Sequence, residues 1–469
     1  MSENTLPHHE SPSVSVIDDS VRLPVIILFG NAIHWLVVAT LLSLVLSIKL
    51  VAPGFLGGIS FLTYGRLAPM ARDLMLYGWA SQAALAAGIW LMARLCGRPL
   101  GGMLHSTLII SATVLWNLAV LLGTLAILAG YSTGVEWLEY PNWASAMLFL
   151  SFLLIGIWVV LLFDHRSTGQ AVAAQWYLIA AFCSFPWVYG TANLLLTWKP
   201  IQASAQGPIH SWYCGSLLAL WLLPVALASL YTLIPHHLGC QIHRRNLATL
   251  GFWLLLLFGG WNGMDRLIGG PVPAWMTSAG VVAGVLFLIP VAIISMNLLG
   301  MLGNRREPES SGPAFRFLVM GVYTLLTVGV LGALLAWPGI SGALRFTGAT
   351  EAKTQLWILG AVSLPLFGVL YEALPHLLKR ECWSTGHSSL HYSLTLTGIW
   401  LLFGLLVSGG LFTGLALGDP TVSFLNITSY SYPFHFMECA AQLVLVAAAL
   451  VLAINVVRAL AAEYLFPKR

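Results

Sequence analysis

Long apolar blocks broken by short polar joints repeat along the whole chain. Each block is near the ~20 residues that a helix needs to cross a ~30 Å hydrocarbon core. Twelve blocks predict spans near 24–48, 73–95, 106–130, 143–163, 172–198, 210–235, 247–268, 274–301, 315–337, 354–378, 391–416 and 434–461. Pro and Gly punctuate the joints, at Pro53-Gly54, Gly97-Arg98-Pro99, Gly312-Pro313 and Pro338-Gly339. The seventh block is the least uniform, with Asn262, Asp265 and Arg266 at its exit. The pattern predicts an all-α integral membrane protein. Residues 1–22 are polar, carry Glu3, Glu10, Asp18 and Asp19, and lack the apolar core of a signal peptide. They read as a flexible cytoplasmic tail ahead of a transmembrane domain over 23–469.

Composition strengthens this reading. The chain has 469 residues, of which 58% are apolar and 8% charged, with mean hydropathy +0.85. Soluble domains carry about a quarter charged residues. The net charge of +4 is small and spread over short loops, so no nucleic-acid partner is implied. Cys96, Cys183, Cys214, Cys240, Cys382 and Cys439 are far apart. No Cys-x-x-Cys-His occurs, so neither a disulfide framework nor covalent c-type haem is expected.

The positive-inside rule favours cytoplasmic termini. The inner loops then carry Arg94, Arg98, Arg166, Arg244, Arg245, Arg305, Arg306, Lys379 and Arg380, and the tail adds Lys468 and Arg469. The outer loops carry fewer cations, and the connection between the third and fourth spans is acidic, with Glu136 and Glu139. One internal echo stands out. Leu230-Tyr231-Thr232-Leu233-Ile234-Pro235-His236 ends the sixth span, and Leu370-Tyr371-Glu372-Ala373-Leu374-Pro375-His376 ends the tenth. A repeat four spans long would produce it, as would two helices that stop alike.

Several strings carry a family resemblance: Tyr64-Gly65-Arg66-Leu67-Ala68-Pro69, Gln175-Trp176-Tyr177, Phe185-Pro186-Trp187, Trp212-Tyr213, and Gly360 through Pro375. In this order, over twelve spans, the chain resembles the main subunit (subunit I) of the haem-copper oxidases. The nearest branch is the C-type (cbb-type) cytochrome c oxidases, close to the nitric oxide reductases. The resemblance implies a twelve-helix bundle of that type in a bacterial inner membrane. Such a subunit works through six histidines. One in the second span and one in the tenth hold a low-spin haem, a second in the tenth holds a high-spin haem, and three in the sixth and seventh bind copper. Imidazole suits both metals.

Carried over through these strings, the six places hold no histidine. The second-span place is Ala71, and the tenth-span pair is Lys353 and Gln355. The copper places are Gly215, Asn262 and Gly263, and the nearby tyrosine of the family is Leu256. A slip of one or two residues rescues nothing, because the outer halves of the second and tenth spans and the whole seventh span lack histidine. A cationic Lys353 would first have to lose its proton to serve as a ligand.

Other polar residues are weighed beside these. Glu372 with His376, and His435 with Glu438, are the best intramembrane candidates for a proton site, against the plainer reading of local ion pairs near helix ends. Asp265 and Arg266 are expected to form a salt bridge in the vacated metal region, and tryptophans to fill the haem spaces. His210 and His435, or the cluster His236, His237 and His243, are weaker places for a relocated metal.

The expectation is a metal-free relative of subunit I, without cofactor, serving as a structural or assembly subunit of a membrane respiratory complex. Membrane lipid and a membrane-anchored c-type cytochrome or other respiratory subunits are the expected partners. Two alternatives stay open: an active terminal oxidase or nitric oxide reductase with haem b and copper on unrecognised ligands, and a proton or small-solute pathway.

Overall fold

A computed structural model describes residues 13–99, 101–167, 171–303 and 312–464. Arg305, Arg306, Lys468, Arg469 and positions 1–12 of the expected tail lie outside the described residues. Among those described there is no strand. Among the described residues, twelve helices are long and apolar enough to cross a membrane: Val14–Val51, Tyr64–Cys96, His105–Ala129, Asn142–Asp164, Ala173–Trp198, Ala203–Leu238, Arg245–Leu267, Ala274–Gly303, Pro313–Ala336, Gly348–Leu378, Thr385–Leu417 and Phe424–Glu463. These are the first to twelfth spans below. A short helix, Pro338–Leu344, lies between the ninth and tenth. The two ends of the bundle are called here the Lys353 end and the Glu372 end.

The spans fall into an inner set and an outer set. The most apolar windows of the second, sixth and tenth are 100%, 94% and 94% buried, and those of the other nine are 39–50% buried. Every fourth span is therefore interior, which is the spacing the echoed strings suggested. Small side chains allow the close approach that membrane helices rely on. A Cβ at Gly88 of the second span would stand 2.7 Å from the Phe182 ring.

Each inner span also carries a π-helical stretch: Leu74–Ala80, Leu217–Leu222 and Leu356–Val362. In the sixth and tenth spans this stretch stands just before Pro224 and Pro365. A proline lacks the N–H that would close the preceding turn, so the ladder loosens there. Ser363 Oγ donates to the Ile358 carbonyl at 2.7 Å, beside the bond that the same carbonyl takes from the Ser363 backbone N–H. The same serine accepts from Trp79 Nε1 at 2.8 Å, while Trp221 Nε1 donates to Ser81 Oγ at 3.2 Å. Two indole–hydroxyl bonds thus tie the three inner spans together where water is absent. Trp79 also stacks on Phe367, with centroids 4.8 Å apart.

The first span corrects the expected tail. Helix begins at Val14, not near residue 23, and Asp18 is only 3% exposed. Its carboxylate accepts from Arg94 Nε at 2.9 Å, Arg94 Nη2 at 2.6 Å and Trp90 Nε1 at 3.2 Å. A two-pronged guanidinium contact of this kind offsets the cost of burying the charge. Further pairs belt the same end: Lys379 with Asp19 at 2.7 Å, and Arg22 with Glu463 at 2.8 Å. An acidic residue that looked solvated in the sequence is an anchor.

Replacing Asp18 with Ala should destabilise the full chain by about 3 kcal/mol, because it strands Arg94 against Trp90. Thermal unfolding in detergent measures this; a loss under about 0.5 kcal/mol would mean that the bridge does not hold the first span.

Candidate functional site

The seventh span determines the geometry at the Lys353 end. Its α-helix runs only over Arg245–Gly259, and the chain then turns through Gly263, at φ +100°, into a 3-10 turn over Met264–Leu267. Three glycines let this turn press into its neighbours. A Cβ at Gly215 would stand 2.1 Å from the Asn262 carbonyl oxygen. One at Gly263 would stand 2.2 Å from the Ser211 carbonyl oxygen, and one at Gly280 2.5 Å from the Met264 carbonyl carbon. Gly215, Asn262 and Gly263 are therefore brought together, backbone against backbone. No side chain of any size fits between them.

The turn also delivers Asp265 to the tenth span. Its carboxylate lies 3.6 Å from Lys353 Nζ, and both side chains are largely buried. Arg266 makes no pair with Asp265; it reaches Thr354 Oγ1 at 3.5 Å. The expected Asp265–Arg266 bridge is thus replaced by one to Lys353, because the 3-10 turn points the two side chains apart.

Two adjoining cavities open beside this pair. The first, about 280 Å³, is lined by Ala71 and Met75 of the second span, Gln355 of the tenth, Glu438 of the twelfth, and Arg72. The second, about 260 Å³, is lined by Lys353, Asp265, Arg266 and Arg345. Glu136, Glu351 and Thr354 line both. Only one indole, Trp137, faces the first cavity and none faces the second. Tryptophans fill other parts of the interior, with Trp79, Trp90, Trp116, Trp158 and Trp221 fully enclosed. The expectation that indoles fill the space beside Ala71 and Gln355 is not met there; charged and amide side chains line it.

The connection between the third and fourth spans caps this region. Trp137 takes positive φ, which turns its carbonyl inward to accept from both Tyr77 and Tyr213 hydroxyls. His210 Nε2 lies 3.1 Å from the Glu136 carbonyl oxygen. His210 is therefore engaged by the cap and is far from a pairing with His435, which binds Glu438 at 3.3 Å. Glu139 is 1% exposed, contacts Arg72 at 3.2 Å and meets the carboxyl of Asp73, which is itself fully buried. Burial raises the Glu139 carboxyl above its ordinary range, against the opposing pull of Asp73 and Arg72.

At the Glu372 end the echoed strings meet. Glu372 lies 3.3 Å from His376, four residues along, and 3.2 Å from His237 of the sixth span. One carboxylate is clasped by two imidazoles from two inner spans. His376 was legible from its spacing; His237 was not, because only tertiary packing joins it. Asp73 was missed as well, although it is the one acidic residue of the second span. Among the described residues, no group of three or more His, Cys, Asp or Glu is arranged to hold a metal ion.

Comparison with known proteins places this arrangement. The family model for cytochrome c and quinol oxidase polypeptide I matches residues 24–454, and the chain belongs to that family. Relatives include a cytochrome c oxidase subunit 1 homolog of Azorhizobium caulinodans, 20% identical over 91% of this chain and 79% of its own. Another is the cbb3-type cytochrome c oxidase subunit CcoN1 of Stutzerimonas stutzeri, 22% identical over 90% of this chain and 91% of its own. Among solved structures, a haem-copper terminal oxidase dimer superposes with a TM-score of 0.71 and 14% identity, covering 98% of this chain and 86% of that one. The twelve-span, multi-pass membrane fold and the family expected from the sequence are both established.

Gly215→Ala should destabilise the protein by at least about 3 kcal/mol, the upper range for overpacking, because its Cβ would meet a backbone carbonyl rather than a yielding side chain. Gly332→Ala, where nothing lies within 4 Å, should change stability by less than about 1 kcal/mol, in the stabilising direction. Equal effects in unfolding measurements would contradict the close contact.

Proposed function

We propose that this chain is a metal-free member of its family that serves as a structural or assembly subunit of a membrane respiratory complex. The observation that carries the reading is the closure of the sixth span onto the seventh at Gly215, Asn262 and Gly263. Through the resemblance these are the copper positions; at Gly215 and Gly263 a single Cβ would already clash, so no imidazole enters there, and position 262 carries an amide. The Lys353–Asp265 ion pair occupies the adjoining space. The ammonium and carboxylate offset one another's charge there, so neither is an unpaired buried charge.

The haem positions point the same way. Axial ligation needs donors such as His, Cys, Met or Tyr facing the iron. Among the described residues the cavity between Ala71 and Gln355 is lined by Met75 and the half-exposed Tyr64 and by no histidine or cysteine, and the two places where the resemblance expects imidazole hold a methyl group and an amide. Haem b and copper therefore do not fit the residues present, and no redox step is assigned to this chain.

What remains is the scaffold, whose outer nine spans expose large apolar side chains such as Trp253, Met296 and Phe436 for lipid or for other membrane subunits. A membrane-anchored c-type cytochrome or an oxidase core is the partner class consistent with the family. The chain would sit in a bacterial inner membrane with both termini cytoplasmic, as the loop cations favour.

Native electrophoresis of the tagged full chain, isolated from its own membranes in mild detergent, tests the assembly role. The chain should migrate in a complex that stains for c-type haem on a second polypeptide. Migration as a lone polypeptide, with respiratory complexes of unchanged size and amount in a deletion strain, would contradict it.

A further inference from the structure

Beyond that reading, one pair of side chains stands out for its chemistry. Asp73 is 0% exposed and Glu139 1% exposed, and their carboxyls act on one another in the same buried space. Neither Asp73 oxygen nor Glu139 Oε2 takes a hydrogen bond from any donor among the described residues. Glu139 Oε1 takes Arg72 Nη2 at 3.2 Å. The tyrosines that face the pair use their hydroxyls elsewhere. Those of Tyr77 and Tyr213 engage the Trp137 carbonyl, Tyr140 pairs with Thr124 at 3.3 Å, and Tyr189 with Ser145 and Asn193. Glu136 is the other charge near the pair, and Glu351 acts on Arg72 from across the first cavity.

Two carboxylates have only acceptors to offer each other. A contact between them needs a proton on one, and the arrangement supplies one cation for two acids. Arg72 neutralises Glu139, and nothing neutralises Asp73. We propose that Asp73 and Glu139 form a proton-binding site in which one proton is held between the two carboxyls, with Arg72 as the fixed counter-cation. The Asp73 hydroxyl donates to Glu139 Oε2, and Glu139 Oε1 accepts from Arg72. The triad is then neutral, and of the four carboxyl oxygens only one, on Asp73, is left without a partner. Release of the proton would leave two adjacent anions facing one guanidinium in a dry pocket. The site lies between the inner spans and the first cavity, whose wall includes Arg72.

The sign of the pH effect follows from burial. An acid that keeps its proton when folded and loses it when unfolded, above about pH 4.3, releases a proton on unfolding. Its stabilising effect is full below that value and declines as pH rises through the folded-state titration.

Infrared spectroscopy of the full chain in detergent, exchanged between H2O and D2O at neutral pH, reads the carbonyl stretch of a protonated carboxylic acid. The wild-type protein should show an exchange-sensitive band that disappears in Asp73→Asn and in Glu139→Gln, because either amide donates the bond without a shared proton. Glu351→Gln should leave it in place. The thermal midpoint of the wild type should fall as pH rises from about 6 to about 9, and the slope should flatten in Asp73→Asn. If that variant does not fold, Glu139→Gln carries the same comparison. A wild-type spectrum without such a band, or a band that persists in both variants, would overturn the proposal.

Discussion

A backbone carbonyl packed against a glycine sets the character of this protein. Because residue 215 has no side chain, the sixth span accepts Asn262 at a distance that any Cβ would forbid. That contact ends the seventh helix at Gly259, folds Gly263 into positive φ, and turns Asp265 toward Lys353. The second cavity beside the tenth span takes Asp265 and Arg266 of its lining from the same turn. Interiors are close-packed and change in discrete steps rather than by degrees. A site closed by backbone contact is a distinct local structure on the family scaffold.

That scaffold depends on its three inner spans. A membrane interior offers no water to satisfy a stray donor, so polar groups must find partners within the protein. Trp79 with Ser363, and Trp221 with Ser81, meet that demand at the π-helical stretches, where the sixth and tenth ladders loosen ahead of a proline. Ion pairs are left to the ends. Asp18 with Arg94, and Glu372 with His237 and His376, hold the Glu372 end, while Lys353 with Asp265, and Arg72 with Glu139, hold the other. The division follows the cost of charge, which is least where headgroups and water come near.

Much of this was legible in the sequence because apolar block length and family strings are strong signals in membrane chains. The twelve spans follow from apolar blocks read in order, and Ala71 and Gln355, singled out through the family strings, line one cavity. Other features were hidden for physical reasons. Asp18 looked solvated because nothing local reveals that Arg94, from another helix, would grasp it. Lys353 and Asp265 lie far apart along the chain and are joined only by the turn that Gly263 permits. Asp73 drew no reading, because nothing local shows that the helix points it away from the half-exposed Arg72 and buries only the acid.

The central claim is that the family scaffold persists here without its redox metals. Visible absorption and metal content of the full chain, purified from bacterial membranes grown with ample iron and copper, address it most directly. The account predicts neither a Soret band nor a reduced α band, with iron and copper far below stoichiometric. A stoichiometric haem with a reduced α band would contradict it.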